Sequence, residues 1–203
     1  MKKMILQALM CAGLIGSGMQ GVLAEGDAVA GKKKFYTCEG CHNVAGYTNS
    51  YPNYNVPRIG GQHADYVVSA LEAYRDDERK HGSMKGNADN LSYQDMADIA
   101  AFVSKFRGMN SILPVTGNPA AGKQKAATCA SCHGEDGNSE NPRYPRLAGQ
   151  YESFLIRALK EYKSGARTNP MMMGFSSMLN DTDMKDIAAY YASQKKGLTL
   201  PQD

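Results

Sequence analysis

Two short runs in this chain carry residues suited to chemistry. Cys38-Glu39-Gly40-Cys41-His42 and Cys129-Ala130-Ser131-Cys132-His133 share one order: Cys, two residues, Cys, His. Two thiols at this spacing can each form a thioether to a vinyl group of one haem. A histidine directly after the second thiol then sits beneath the iron as an axial nitrogen ligand. The five-residue pattern is the sequence mark of covalent c-type haem attachment. Other uses of paired cysteines fit less well. A thioredoxin-like pair wants a βαβ setting, and alternating β-branched runs are missing here. A structural zinc site draws on two cysteine pairs usually far closer than 91 residues. A plain disulfide needs no histidine after its second cysteine, yet both copies have one.

The elements that position these runs are duplicated as well. Ala30-Gly31-Lys32 matches Ala121-Gly122-Lys123 at a shift of 91, the same shift as the motifs. After the motifs the shift becomes 88. Pro57-Arg58 matches Pro145-Arg146, Gly61-Gln62 matches Gly149-Gln150, and Asp98-Ile99-Ala100-Ala101 matches Asp186-Ile187-Ala188-Ala189. The change of shift places three extra residues in a Tyr- and Asn-rich loop between His42 and Pro57. A fixed repeat of this kind implies two homologous structural units. They are expected at 25–110 and 118–203, joined by a linker over 111–117 that contains Pro114 and Gly117 and so ends any helix. Units of roughly 90 residues are small for a domain, and a large apolar macrocycle at the centre of each would supply the missing core.

Both units read as all-α. Helices are expected over Ala28–Thr37, Ala64–Arg79 and Ser92–Phe106, and again over Pro119–Thr128, Tyr151–Lys163 and Asp181–Gln194. Val67, Ala70, Leu71 and Tyr74 share one helical face. Met96, Ile99, Ala100 and Val103 share another, and both stripes recur in the second unit. Ser92 is positioned as a helix cap.

The second axial ligand must come from Met84, Met96, Met109, His63 or His81 in the first unit. Met84 lies in a polar Gly-rich stretch between helices, and its partner at shift 88, Met172, lies in an equivalent stretch; both are expected in loops. Met96 and Met184 fall on apolar stripes and read as core packing. His63 and His81 map onto Tyr151 and Asn169, so neither is a ligand shared by both units. His81 stays the main rival to Met84. Met171 and Met173 flank Met172, and a one-residue slip would move the choice; Met178 stands further off. A thioether sulfur raises the potential relative to a second histidine, and two strong axial ligands leave no open site at the iron. That combination suits outer-sphere electron transfer.

The chain of 203 residues is 42% hydrophobic and 21% charged, with a formal net charge of +3. This is a globular composition, too weakly and evenly charged for a nucleic-acid binder. Lys2 and Lys3, the uncharged stretch from Met4 to Met19 and the small residues before Glu25 predict a signal peptide over 1–24. The uncharged stretch from Met4 to Ala24 is long enough for a retained anchor, but its Gly and Ser content weakens that reading. Cys11 follows Met10 and not the small residue of a lipoprotein site, so it is expected to leave with the signal. Export puts the other four cysteines in an oxidising compartment. From Glu25 to Leu113 the net charge is −1, and from Pro114 to Asp203 it is +2, a slight hint that the two halves meet different partners.

With the two motifs, the duplication, Pro145-Arg146-Leu147-Ala148-Gly149-Gln150 and Asp183-Met184-Lys185-Asp186-Ile187-Ala188-Ala189-Tyr190 in view, the chain resembles the dihaem cytochrome c4 family, two class I cytochrome c units in tandem. The resemblance covers essentially all of the sequence after residue 24. It implies two covalently bound haem c groups on Cys38 and Cys41, and on Cys129 and Cys132. The axial pairs would be His42 with Met84 and His133 with Met172. It also implies two domains about a pseudo-twofold axis with the haem propionates near the interface. The family is one of bacterial periplasmic electron carriers, often loosely membrane-associated, that pass electrons toward a terminal oxidase; they are not enzymes. The first unit departs from the pattern: Asn43-Val44-Ala45-Gly46 follows its motif where the second has Gly134-Glu135-Asp136-Gly137, and its ligand segment, Arg75 to Lys85, is charged. Two alternatives share the tandem pattern. One is the haem subunit of a flavin-containing sulfide dehydrogenase, although no Gly-x-Gly-x-x-Gly follows a strand in this chain. The other is a dihaem peroxidase, which needs a labile or missing sixth ligand.

Overall fold

The computed structural model of the protein describes residues 25–109 and 113–202. The expected signal peptide lies outside them, and the described part of the linker, 113–117, is free of helix. In the first unit α1 (Ala28–Lys34) starts at Asp27, whose carboxylate accepts from the amides of Val29 and Ala30. It is followed by α2 (Tyr36–His42), α3 (Ala64–Arg75), α4 (Gly82–Ala88) and α5 (Tyr93–Val103). The second unit repeats them as α6 (Pro119–Lys125), a 3₁₀ turn at Ala126–Thr128, α7 (Ala130–His133), α8 (Glu152–Ser164), α9 (Pro170–Ser177) and α10 (Asp181–Ala192). Ser92 with Asp95, and Asn180 with Asp183, form capping boxes at the equivalent helices α5 and α10.

Three expectations needed correction. The helix expected over Ala28–Thr37 divides at Phe35, which closes α1 by donating its amide to the Gly31 carbonyl. The helix expected to reach Arg79 stops at Arg75, because the chain reverses through Asp77 in the left-handed region (φ 60°) so that Arg79 can pair with Arg167. Met84 and Met172 lie in the short helices α4 and α9, not in loops. Strand structure among the described residues is confined to two-residue pieces. The longer loop of the first unit closes as a small hairpin, Thr48–Asn49 with Tyr54–Asn55. Gly108–Met109 pairs with Lys196–Gly197, joining the ends of the two units.

Within each unit the first and last helices cross at a glycine. A side chain on Gly31 would meet the Asp98 carbonyl, and one on Gly122 the Asp186 carbonyl, each at 1.9 Å. Ion pairs lock both crossings: Lys34 to Asp95 and Asp98 at 2.6 and 2.5 Å, and Lys125 to Asp183 and Asp186 at 2.9 and 2.7 Å. The apolar clusters beside them are modest. Phe35, Met96, Ile99, Ala100, Phe102 and Val103 anchor one, and Ala126, Leu155, Ile187, Ala188 and Tyr191 the other. Met96 is fully buried in the first cluster and Met184 is fully buried on α10, as expected of packing residues.

The units dock about a pseudo-twofold axis. Arg79 bridges to its own repeat equivalent, Arg167, and Gly108 pairs with Gly197 while Met109 pairs with Lys196. The buried centre of the contact is reciprocal. Gln150 accepts from the Arg58 amide at 2.9 Å and donates to the Arg58 carbonyl at 2.8 Å. Gln62 accepts from the Arg146 amide at 2.9 Å and donates to the Arg146 carbonyl at 3.0 Å. The Arg58 guanidinium donates to the Gly149 carbonyl and stacks on Tyr151, and that of Arg146 donates to the Gly61 carbonyl.

Candidate haem sites

Each Cys-x-x-Cys-His run is carried by a short helix that ends at its histidine. Cys38 and Cys41 lie on α2, and Cys132 on α7 just after Cys129. None of the four motif cysteines is paired in a disulfide, and burial disfavours a thiolate at Cys38 and Cys129. His42 and His133 are buried, and desolvation holds both imidazoles below their ordinary value. Each ring contacts the carbonyl of a repeat-matched proline: His42 Nδ1 to Pro57 at 2.9 Å, and His133 Nδ1 to Pro145 at 2.9 Å. A carbonyl only accepts, so Nδ1 carries the proton and Nε2 keeps its lone pair for a metal.

In the second unit Cys129, Cys132, His133 and Met172 line one cavity of about 750 Å³, walled by Leu147, Leu155, Leu159, Ile187 and Tyr191. That volume suits a large cofactor. The Tyr191 hydroxyl on this wall is buried without a partner. Among the described residues no cluster of three His, Cys, Asp or Glu side chains could hold a bare metal ion. The donor set is one soft sulfur and one imidazole facing an apolar space, with two thiols at its edge, which fits haem iron. The first unit closes this cavity: Tyr66, Ala73 and Arg79 also line it, and Arg79 donates to the Tyr66 hydroxyl at 2.7 Å. Arg79 and Arg167 bring guanidinium groups to the cavity wall, Arg167 paired with the buried Glu161 carboxylate at 2.5 Å.

The rival ligands are not all remote from the two sites: Met171 lines the same cavity as Met172, and His81 lies close enough to His42 to lower its imidazole further, after desolvation. His81 is the cap of α4, its Nδ1 accepting from the Met84 amide at 3.2 Å, and its ring packs edge-on to Tyr54 and Tyr74. Asn169 does the same for α9, accepting from the Met172 amide at 3.1 Å. His63 Nε2 reaches across the interface to the Ser139 carbonyl at 2.7 Å, and its counterpart Tyr151 accepts from the Gly46 amide at 2.9 Å. Met171 and Met178 are 52% and 73% exposed, and Met109 lies in the strand that joins the units. Sequence reasoning missed Pro57 and Pro145 as orienting groups. The matched Pro-Arg pair was the available signal. It missed the part played by Tyr66 and Arg79 for lack of any signal, since they come from the other unit.

Two units with matched Cys-x-x-Cys-His helices and proline-oriented histidines, docked face to face, define a tandem haem protein of the c type. The family model for cytochrome c matches residues 28–106 and again 119–195, and the chain belongs to the cytochrome c family. It is similar to cytochrome c4 of Pseudomonas aeruginosa, 48% identical over 93 residues. That alignment covers 46% of this chain and 46% of the relative, so the chain spans about half the length of this curated relative. Cytochrome c4 of Acidithiobacillus ferrooxidans is similar over both units: TM-score 0.69, 29% identity, 78% of this chain and 99% of that one. A thiosulfate dehydrogenase from Marichromatium purpuratum is similar with TM-score 0.68 and 27% identity, over 77% of this chain and 36% of that one. The two cytochrome c domains imply two covalently bound haem c groups, and the chain is similar to cytochrome c4 over both units.

Proposed function

We propose that this chain is a periplasmic electron carrier that delivers electrons toward a terminal oxidase, exported by a signal peptide over 1–24. Cys38 and Cys41 tether one haem in a domain over 25–110, and Cys129 and Cys132 the other in a domain over 118–203. His42 with Met84, and His133 with Met172, are the axial pairs. The haems supply one-electron redox chemistry. The protein's own residues would hold the imidazoles in one tautomer, and Arg79 would bring positive charge to the cavity wall. The observation that carries this reading is the convergence of Cys129, Cys132, His133 and Met172 on a single apolar cavity.

The two ligand helices offer different faces to partners. Met171, Phe175 and Met178 are exposed on and just beyond α9, where the first unit has Ser83, Asn87 and Asn90. Glu72, Arg75, Asp76, Asp77, Lys85 and Asp89 surround α4 with net charge −2; their equivalents at shift 88 include Lys160 and Lys163 and carry +2. Complementary charge steers encounter, so donor and acceptor dock on different units. Among the described residues no helix is long and apolar enough to cross a membrane. The likeness to a thiosulfate dehydrogenase favours a second reading, in which the chain is the haem component of a dehydrogenase.

A spectroscopic redox titration of the holoprotein, matured in a host that attaches haem, tests the proposal. Two low-spin haems with positive potentials, inert to carbon monoxide and peroxide, are expected. A high-spin haem that reacts with peroxide would overturn the carrier. Copurification of a catalytic subunit would establish the second reading.

A further inference from the structure

The reciprocal glutamines do more than join the units. The Pro57 carbonyl that accepts from His42 Nδ1 and the Arg58 amide that donates to Gln150 belong to one peptide group. A chain of hydrogen bonds therefore runs from Gln150 Oε1, through the Pro57–Arg58 peptide, to the imidazole of His42. Its mirror runs from Gln62 Oε1, through the Pro145–Arg146 peptide, to His133, with contacts of 2.9 Å at both ends. Each glutamine is held in place. Gln150 Oε1 also accepts from the Tyr151 amide at 3.0 Å, and Gln62 Oε1 from the His63 amide at 3.0 Å. Gln62, Gln150 and Arg58 are 4–6% exposed, so water does not readily substitute.

We infer that Gln150 of the second unit is a positioning residue for the first haem's histidine, and Gln62 of the first unit for the second haem's. An acceptor on the N–H of a peptide polarises its C=O, because bonds in such chains strengthen one another. A stronger carbonyl acceptor draws the Nδ1 proton and makes Nε2 a better donor to iron. Electron donation at Nε2 favours oxidised iron and lowers the potential. Each unit thereby sets the potential of the other's haem, and a change in docking reaches both irons through two peptide groups. The inference rests on His42 and His133 being the axial ligands.

The test uses holoprotein carrying Gln150→Met or Gln62→Met, which keep side-chain length and remove the acceptor. Midpoint potentials are measured by voltammetry, and each wave is assigned from the haem-methyl NMR resonances of its unit. Gln150→Met raises the first haem's potential and leaves the second unchanged; Gln62→Met does the reverse. The expected size is up to about tenfold in the reduction equilibrium, or 59 mV for one electron. The Nδ1 proton resonance of the affected histidine moves upfield in the same crossed pattern. Shifts that are absent, equal in both haems, or confined to the mutated unit would overturn the inference. If the wild type itself lacks two low-spin, reversible one-electron waves, the axial assignment has failed instead. A Gln→Met variant that does not fold is replaced by Gln→Leu, read by the same crossed pattern.

Discussion

Gly122→Ala should cost this protein about 2 kcal/mol. The added methyl would lie 1.9 Å from the Asp186 carbonyl oxygen and 2.9 Å from the Tyr190 Cβ. The obstacle is helix backbone, so no rotamer change relieves it, and α6 and α10 must part by about 1.5 Å to regain ordinary contact. Overpacking of this kind costs roughly 1–3 kcal/mol. The parting also strains the bond from the Asn118 amide to Asp186 at 2.9 Å and the Lys125–Asp186 pair, worth about 1 kcal/mol together. Replacing a helical glycine by alanine returns about 1 kcal/mol through propensity. The assay is guanidinium unfolding of the holoprotein followed by far-UV circular dichroism. Gly174→Ala is the matched control, because its methyl meets nothing within 4 Å and only the propensity gain remains. If both variants shift stability alike, or Gly122→Ala loses less than about 0.5 kcal/mol, the close crossing is not what holds these helices.

Met172→Ala lowers the second haem's potential and opens its iron to carbon monoxide, while Met171→Ala and Met173→Ala do neither; a redox titration with a carbon monoxide difference spectrum checks the set. Acid destabilises the protein in a defined window. Asp95 is held down to about 2 by the Lys34 hydrogen bond and then by Ser92, and Asp98, Asp183 and Asp186 are lowered by Lys34 and Lys125. Groups with depressed folded-state values stabilise above their unfolded values, so the contribution is complete above about pH 4 and falls away toward pH 2. Solvent screening limits the Asp95 share to about 1 kcal/mol, and Lys34→Met flattens the decline in a series of melting curves against pH. Lys160→Glu with Lys163→Glu slows oxidation of the second haem by ferricyanide several-fold at low salt, with the difference vanishing at high salt. An unchanged stopped-flow rate at low salt would count against distinct docking faces.

Local chemistry determined a great deal here without any structure. The thiol spacing and the histidine that follows are set within five residues, and the capping boxes at Ser92 and Asn180 within four. Helical stripes repeat every three to four residues, so six of the helices were legible, and the duplication pointed to Met84 and Met172 among several methionines. The tertiary structure decided what depends on partners far along the chain. Asp77 turns the chain out of α3 so that Arg79 meets Arg167, a pairing no local pattern encodes. His81 and Asn169 differ in type yet cap equivalent helices, a likeness only their positions show. The Gln62–Arg146 and Gln150–Arg58 contacts join residues 84 and 92 apart in sequence, and their meaning appears only when two repeats face each other. A repeat states that two units are alike; the faces they bury against each other follow from shape and hydrogen-bond satisfaction over the whole surface, which no short window of sequence contains.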